Sequence, residues 1–258
     1  MLTPLARIIE CPADMVAVAG RVCVDRFELH LAHAHSGVDW SPFFPPDLDR
    51  ARAIAVFYEG LRTKESEPWL GALMPLPALP TRGGLLRAIS EAGVVPQGYL
   101  SANEAEGACR AASKRLCSES EWLTACRGES STDFPYGQSY EHGACNVYRE
   151  SHPTWLLHGN AARYHDDPRS NAVATDQGPL LRATGATPRC ASRWGDDAIY
   201  DLVGNLDEWV GGDRGAFMGG FYSRPNKSGC FARVSSHPRA YSDYSTGARC
   251  CADPLEGG

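Results

Sequence analysis

Two periods of hydrophobic and polar positions follow one another along the first half of the chain. Residues 15–29, MVAVAGRVCVDRFEL, alternate apolar and polar side chains on either side of Ala19-Gly20, which predicts two strands joined by a tight turn. Residues 30–47 are rich in Pro, His and Asp without a period and read as a loop. Residues 48–62, LDRARAIAVFYEGLR, repeat apolar positions at helical spacing and predict a helix. Pro75, Pro77 and Pro80 with Gly83-Gly84 interrupt the pattern, and a short helical pattern follows at residues 85–91. Ser101 with Glu104, and Ser118 with Glu121, then place Ser three residues before Glu, the reciprocal arrangement that satisfies the orphan amides of a helix start. These predict helices running to about Ala112 and about Cys126. Beyond Gly128 the chain reads as turns and short strands, punctuated by Asp166-Asp167-Pro168, Gly178-Pro179 and Gly195-Asp196-Asp197.

Composition narrows the class. Hydrophobic residues at 43% and charged residues at 22% are ordinary globular usage, so a disordered chain is excluded. Gly 26 and Pro 18 in 258 residues add the expectation of a loop-rich fold. No repeat or compositional break divides the sequence, so residues 1–258 read as a single domain. The net charge of −6, with no basic run, disfavours nucleic acid or an anionic membrane as partner. No apolar stretch reaches the roughly 18–20 residues of a membrane span, so no transmembrane segment is expected. Arg7, Glu10, Cys11, Pro12 and Asp14 stand where a signal peptide needs an unbroken apolar centre, so none is expected in this chain. Ten cysteines, an even number without a C-x-x-C pair, point instead to a disulfide framework and hence to a secreted or periplasmic protein. A monomer is expected.

Seven short motifs occur in a fixed order: Arg115-Leu-Cys-Ser-Glu-Ser-Glu-Trp122, Ala125-Cys-Arg-Gly128, Phe134-Pro-Tyr-Gly137, Cys145-Asn146, Tyr200-Asp-Leu-Val-Gly-Asn-Leu-Asp-Glu-Trp-Val210, Met218-Gly-Gly220 and Gly247-Ala-Arg-Cys250. In this the chain resembles the formylglycine-generating enzyme, or sulfatase-modifying factor, family over about residues 15–251. The resemblance implies an α+β fold, a loop-rich variant of the C-type lectin fold with short twisted sheets, two main helices and structural calcium. Gly204-Asn205-Leu206-Asp207-Glu208 places two oxygen ligands three residues apart in a turn, with the Leu206 carbonyl between them, oxygen donors of the kind that suit Ca²⁺. Carrying over the family's later Asn gives a second cation position at Asn146 and Val147, with Asp166-Asp167 as further donors. Trp122 and Trp209 read as core anchors whose indole N–H groups bond to backbone, and Glu121 and Glu208 as capping or ion-binding groups.

Members that oxidise a sulfatase cysteine resemble one another in a C-x-x-x-x-C pair after the R-G-G-S motif, whose soft thiolates hold copper(I). Here Ser223 or Arg224 stands in the region of the first cysteine and only Cys230 near the second, so copper is not expected. Cys230 is expected to pair with Cys250 or Cys251, which cannot easily bond to each other. The run His30-Leu-Ala-His33-Ala-His35 reads as solvated loop. Any catalytic chemistry is placed at Cys230, Arg233 and His237. Two functions remain open: an oxidative tailoring enzyme acting on a peptide or secondary metabolite, and a non-catalytic, secreted or surface-displayed lectin-like module that presents its loops to a peptide, glycan or partner protein; a peptide or small-molecule ligand is the partner expected.

Overall fold

The N-terminal alternation folds as a hairpin in the computed structural model, which describes residues 9–63, 69–225 and 227–255. Arg7, on which the signal-peptide expectation partly rests, lies outside the described residues. Met15–Val18 pairs antiparallel with Val22–Asp25, and Ala19 and Gly20 between them both take left-handed dihedrals, as a tight hairpin turn requires. Cys250–Ala252 and Arg115–Leu116 extend this pair to four antiparallel strands, so the two ends of the chain close one sheet.

Two segments depart from the sequence reading. Leu29–His33 is a strand where a loop is expected, and its antiparallel partner is Leu86–Ser90, where a helix is expected. Leu86, Ala88 and Ser90 turn inward and Arg87 outward, a period of two that so short an apolar run hides. His30 and His33 are consequently buried rather than solvated, His33 edge-on to Trp40, and only His35 of the run is exposed.

The helices start where the spacing puts them. The carboxylates of Glu104 and Glu121 each accept the backbone N–H of their serine at 2.8 Å, closing both capping boxes at the heads of Ala102–Ala111 and Glu119–Arg127. Asp47 caps Leu48–Arg62 by accepting the Arg50 amide. A second four-stranded sheet, ordered Arg233–Val234, Ala216–Met218, Asp207–Val210 and Thr246–Ala248, has its last pair parallel. Asp207–Val210 is fully buried and lies between Ala216–Met218 and Thr246–Ala248 in this sheet.

All ten cysteines are paired: Cys11–Cys23, Cys109–Cys250, Cys117–Cys251, Cys126–Cys230 and Cys145–Cys190. Cys230 therefore reaches Cys126 on a helix, not Cys250 or Cys251. Those two are consecutive on a strand and project to opposite faces, which sends each to a different partner. Three bridges close loops with separations of 141, 134 and 104 residues, and each stabilises by about 2–4 kcal/mol through the unfolded chain. Five disulfides fit an extracellular or periplasmic protein. Among the described residues no helix is long and apolar enough to cross a membrane.

Candidate functional site

The Gly204-Asn205 turn feeds the central strand. A Cβ on Gly204 would lie 2.2 Å from the Asn146 carbonyl oxygen, and φ is +80° there, so only glycine fits. Asn205 also takes a positive φ, which Asn tolerates, and its side chain ties three segments together. Its Oδ1 accepts from Asn146 Nδ2 at 2.9 Å and from the Arg182 amide at 3.0 Å, while its Nδ2 donates to Glu28 at 2.5 Å.

Glu208 is claimed by an internal cation. Arg249, wholly buried, donates to both carboxylate oxygens at 2.6 and 2.7 Å, and Trp122 Nε1 donates to one of them at 2.7 Å. Trp122 is thus anchored on a carboxylate, whereas Trp209 bonds the Leu100 carbonyl at 2.8 Å as expected. Burial opposes the charge on Arg249, but Glu208 more than restores it and its pKa stays above the ordinary value. Glu28 and Asp201 share this interior. Burial lifts Asp201 to about 6 and holds Glu28 well above the usual carboxylate range, with Asp201 and Glu208 adding to the effect on Glu28.

These donors do not fit the expected calcium ion. Both oxygens of Glu208 and the Oδ1 of Asn205, two of the donors expected with the Leu206 carbonyl, already accept bonds from the protein, and at Glu208 Arg249 supplies the positive charge that Ca²⁺ would bring. At the second position, expected at Asn146 and Val147, the Asn146 side chain is similarly engaged. Asn146 Nδ2 donates to Leu180 O and to Asn205, and its Oδ1 faces the Arg149 guanidinium at 3.5 Å. Asp166 and Asp167 lie elsewhere, held by Tyr58 and by Arg169 with His158. No group of three or more His, Cys, Asp or Glu suited to a metal occurs among the described residues.

Asp207 precedes Glu208 on the same strand and points the other way. It lies at a cleft of about 400 Å³ together with Arg224, Pro225, Ser228, Phe231 and Arg233. Asp207 is 1% exposed and bonds Arg224, whose side chain is 29% exposed and lies over the Phe221 ring. Burial pushes the Asp207 carboxyl up to about 7, the Arg224 charge pulling the other way and Asp243 adding to the rise. Asp243 in turn accepts from Tyr241 Oη at 2.5 Å. The turn that carries Arg224 follows Gly219, where φ is +87° and a Cβ would lie 2.5 Å from the Leu202 carbonyl oxygen.

The three residues proposed for catalysis are not gathered into one pocket. Arg233 reaches the cleft and pairs with Glu119 at 2.9 Å. Cys230 is wholly buried in its disulfide and offers no thiolate. His237 stacks between Phe217 and Tyr241, with ring centroids 5.7 and 3.9 Å away. Ser223, in the region of the first copper cysteine, donates its hydroxyl to the Ser151 carbonyl. Sequence reasoning missed Asp207, whose signal was its place inside the Gly-Asn-x-x-Glu-Trp motif, one residue before the conspicuous Glu. It noticed Arg224 only as a replacement for cysteine.

The sulfatase-modifying factor enzyme 1-like domain is the family whose model matches, over residues 76–250. Among solved structures, the Major Tropism Determinant U1 variant is 16% identical at a TM-score of 0.47, over 96% of this chain and 55% of that one. CarF is 12% identical at a TM-score of 0.44, over 91% of this chain and 87% of its own. PvdO from Pseudomonas aeruginosa is 14% identical at a TM-score of 0.43, over 96% and 90%. The chain spans only about half the length of the Major Tropism Determinant chain it matches. No curated protein sequence matches. The fold is the expected α+β, C-type-lectin-like one, with few helices and short sheets.

Proposed function

The chain belongs to the sulfatase-modifying factor enzyme 1-like family, and within it we propose a secreted or periplasmic protein that binds a peptide or small-molecule ligand in the Asp207–Arg224 cleft, without thiolate–copper oxidation. The observation that carries this reading is the buried acid–arginine pair at the cleft, where the copper-dependent members need two thiolates. Cu(I) selects soft sulfur donors, and a hydroxyl, a guanidinium and a disulfide supply none. An apolar wall at Phe231 beside a few convergent polar groups is the usual make-up of a ligand site.

A fragment set screened by NMR on the whole protein tests it. Hits should map to Arg224, Phe231 and Arg233 and be lost in Arg224→Ala, whereas hits that map elsewhere sink the reading. In parallel, a Cys-x-Pro-x-Arg peptide incubated with copper-loaded protein should give no aldehyde by mass spectrometry.

Asp207 supports a second reading, a tailoring enzyme of the same family acting on a peptide or secondary metabolite. A carboxyl held at about 7 in a cleft is poised to exchange a proton near neutral pH. In that case turnover of a bound ligand should follow the ionisation of one group near pH 7 and vanish in Asp207→Asn while binding survives.

A further inference from the structure

A smaller pocket of about 180 Å³, separate from the cleft, is lined by His142, Asn146, Tyr148, Arg149, Gln177 and Arg182 among others. It stands where the second calcium position is expected, yet its charge has the opposite sense. Arg149 and Arg182 line the same pocket, and burial together with the charge of Arg182 pulls Arg149 below its ordinary value, Asp176 acting the other way. Neither guanidinium has a carboxylate within 4 Å among the described residues. Their contacts inside the protein are long and to neutral oxygens: Arg149 to Pro179 O at 3.3 Å and Thr175 Oγ1 at 3.5 Å, Arg182 to Thr187 Oγ1 at 3.3 Å. Lys227 adds a third cation nearby, over the face of Tyr148 at 5.2 Å. In a chain of net charge −6, two partly buried arginines at one pocket, neither in a salt bridge among the described residues, form a local positive site.

We propose that this pocket binds an oxyanion, a phosphate, sulfate or carboxylate group, between the guanidiniums of Arg149 and Arg182. Guanidinium forks match the paired oxygens of such groups, and a bound anion removes the repulsion between the two arginines. Gln177 lies at the same pocket with an amide N–H₂ to donate, and exposed Glu150 is the acidic group at its rim. The cleft reading and this one are independent, since no residue lines both pockets.

The test uses the whole protein at fixed ionic strength, with chloride replaced stepwise by inorganic phosphate, sulfate or acetate, and reads the arginine Nε–H NMR signals together with the melting temperature. Phosphate or sulfate should shift the Arg149 and Arg182 signals saturably and raise the melting temperature. Acetate should do so more weakly if the natural ligand carries a tetrahedral group, and as strongly if it carries a carboxylate. Arg182→Gln should weaken binding about tenfold or more, as loss of a charge-assisted hydrogen bond implies, and Glu150→Gln should tighten it. Arg182→Lys, which keeps the charge without the fork, should fall between wild type and Arg182→Gln. A linear response to every anion, unchanged in Arg182→Gln, would overturn the proposal. So would calcium saturating the same signals while the anions leave them unmoved.

Discussion

Asp207 and Glu208 are neighbours on one strand, each 1% exposed and each bonded to an arginine, yet they belong to different kinds of site. Strand geometry sends them to opposite faces. Glu208 meets Arg249 in the sealed interior, where both carboxylate oxygens are bonded and Trp122 completes the set. Asp207 meets Arg224 at the floor of a cleft, where the arginine is part-solvated and one of its nitrogens, Nε, is buried without a hydrogen-bond partner. A buried ion pair with both carboxylate oxygens bonded rigidifies a core. The Asp207–Arg224 pair leaves one buried donor unused, so it is less completely satisfied than the interior pair.

Breaking the interior pair should therefore cost far more than breaking the cleft pair. Glu208→Gln is expected to lower stability by about 3–5 kcal/mol, because it strands a buried guanidinium; denaturant unfolding measures it. Opening the Cys126–Cys230 bridge with a double serine variant should cost about 2–5 kcal/mol and loosen the segment under the cleft. Arg224→Leu should cost less than Glu208→Gln, about 1–3 kcal/mol, since Asp207 can take up a proton in compensation. An Arg224→Leu loss equal to that of Glu208→Gln would erase the distinction between the two pairs.

The folded-state pKa of Asp207 is raised, so its contribution to stability is full below its ordinary value near 4 and is lost as pH rises through about 7. Asp25 and Asp201, lifted by burial to about 6, act in the same direction over a lower window. Asp167 and Glu121 are held below their ordinary values and lose stability only as the pH falls below about 4. Melting temperature should thus decline from about pH 5 to 7.5, and Asp207→Asn should flatten the upper part of that decline. The smallest effect is the most diagnostic: chelation by EDTA should leave the melting curve in place. A fall would mean that an ion, rather than Arg249 or Arg149, holds the oxygen donors of Glu208 or Asn146.

Local chemistry was legible where a few neighbouring residues carry the whole signal. Ser101 with Glu104 and Ser118 with Glu121 close on themselves within one helical turn, so no distant partner is needed to read them. Ala19-Gly20 announces its hairpin for the same reason. Leu86–Ser90 was misread because five residues carry too little periodicity to separate a strand from a helical turn, and its pairing with Leu29–His33 spans a long intervening segment. The partner of Glu208 was out of reach of the sequence for a different reason. The residue types were right for a cation, but the cation is the guanidinium of Arg249, which lies 41 residues further along the chain.

The sequence by itself determined the family, the two capped helices, the two tryptophan anchors and an even set of cysteines, because each is written in residue types at short, ordered spacing. Only the tertiary structure decided which cysteine meets which, that Arg249 bonds Glu208 and Arg149 approaches Asn146, that Cys230 is sealed, and that Asp207 faces a cleft. Those outcomes depend on which charges are brought within a few ångströms of each other after burial, where an unpaired ion is too costly to persist and each carboxylate takes whatever cation the fold delivers.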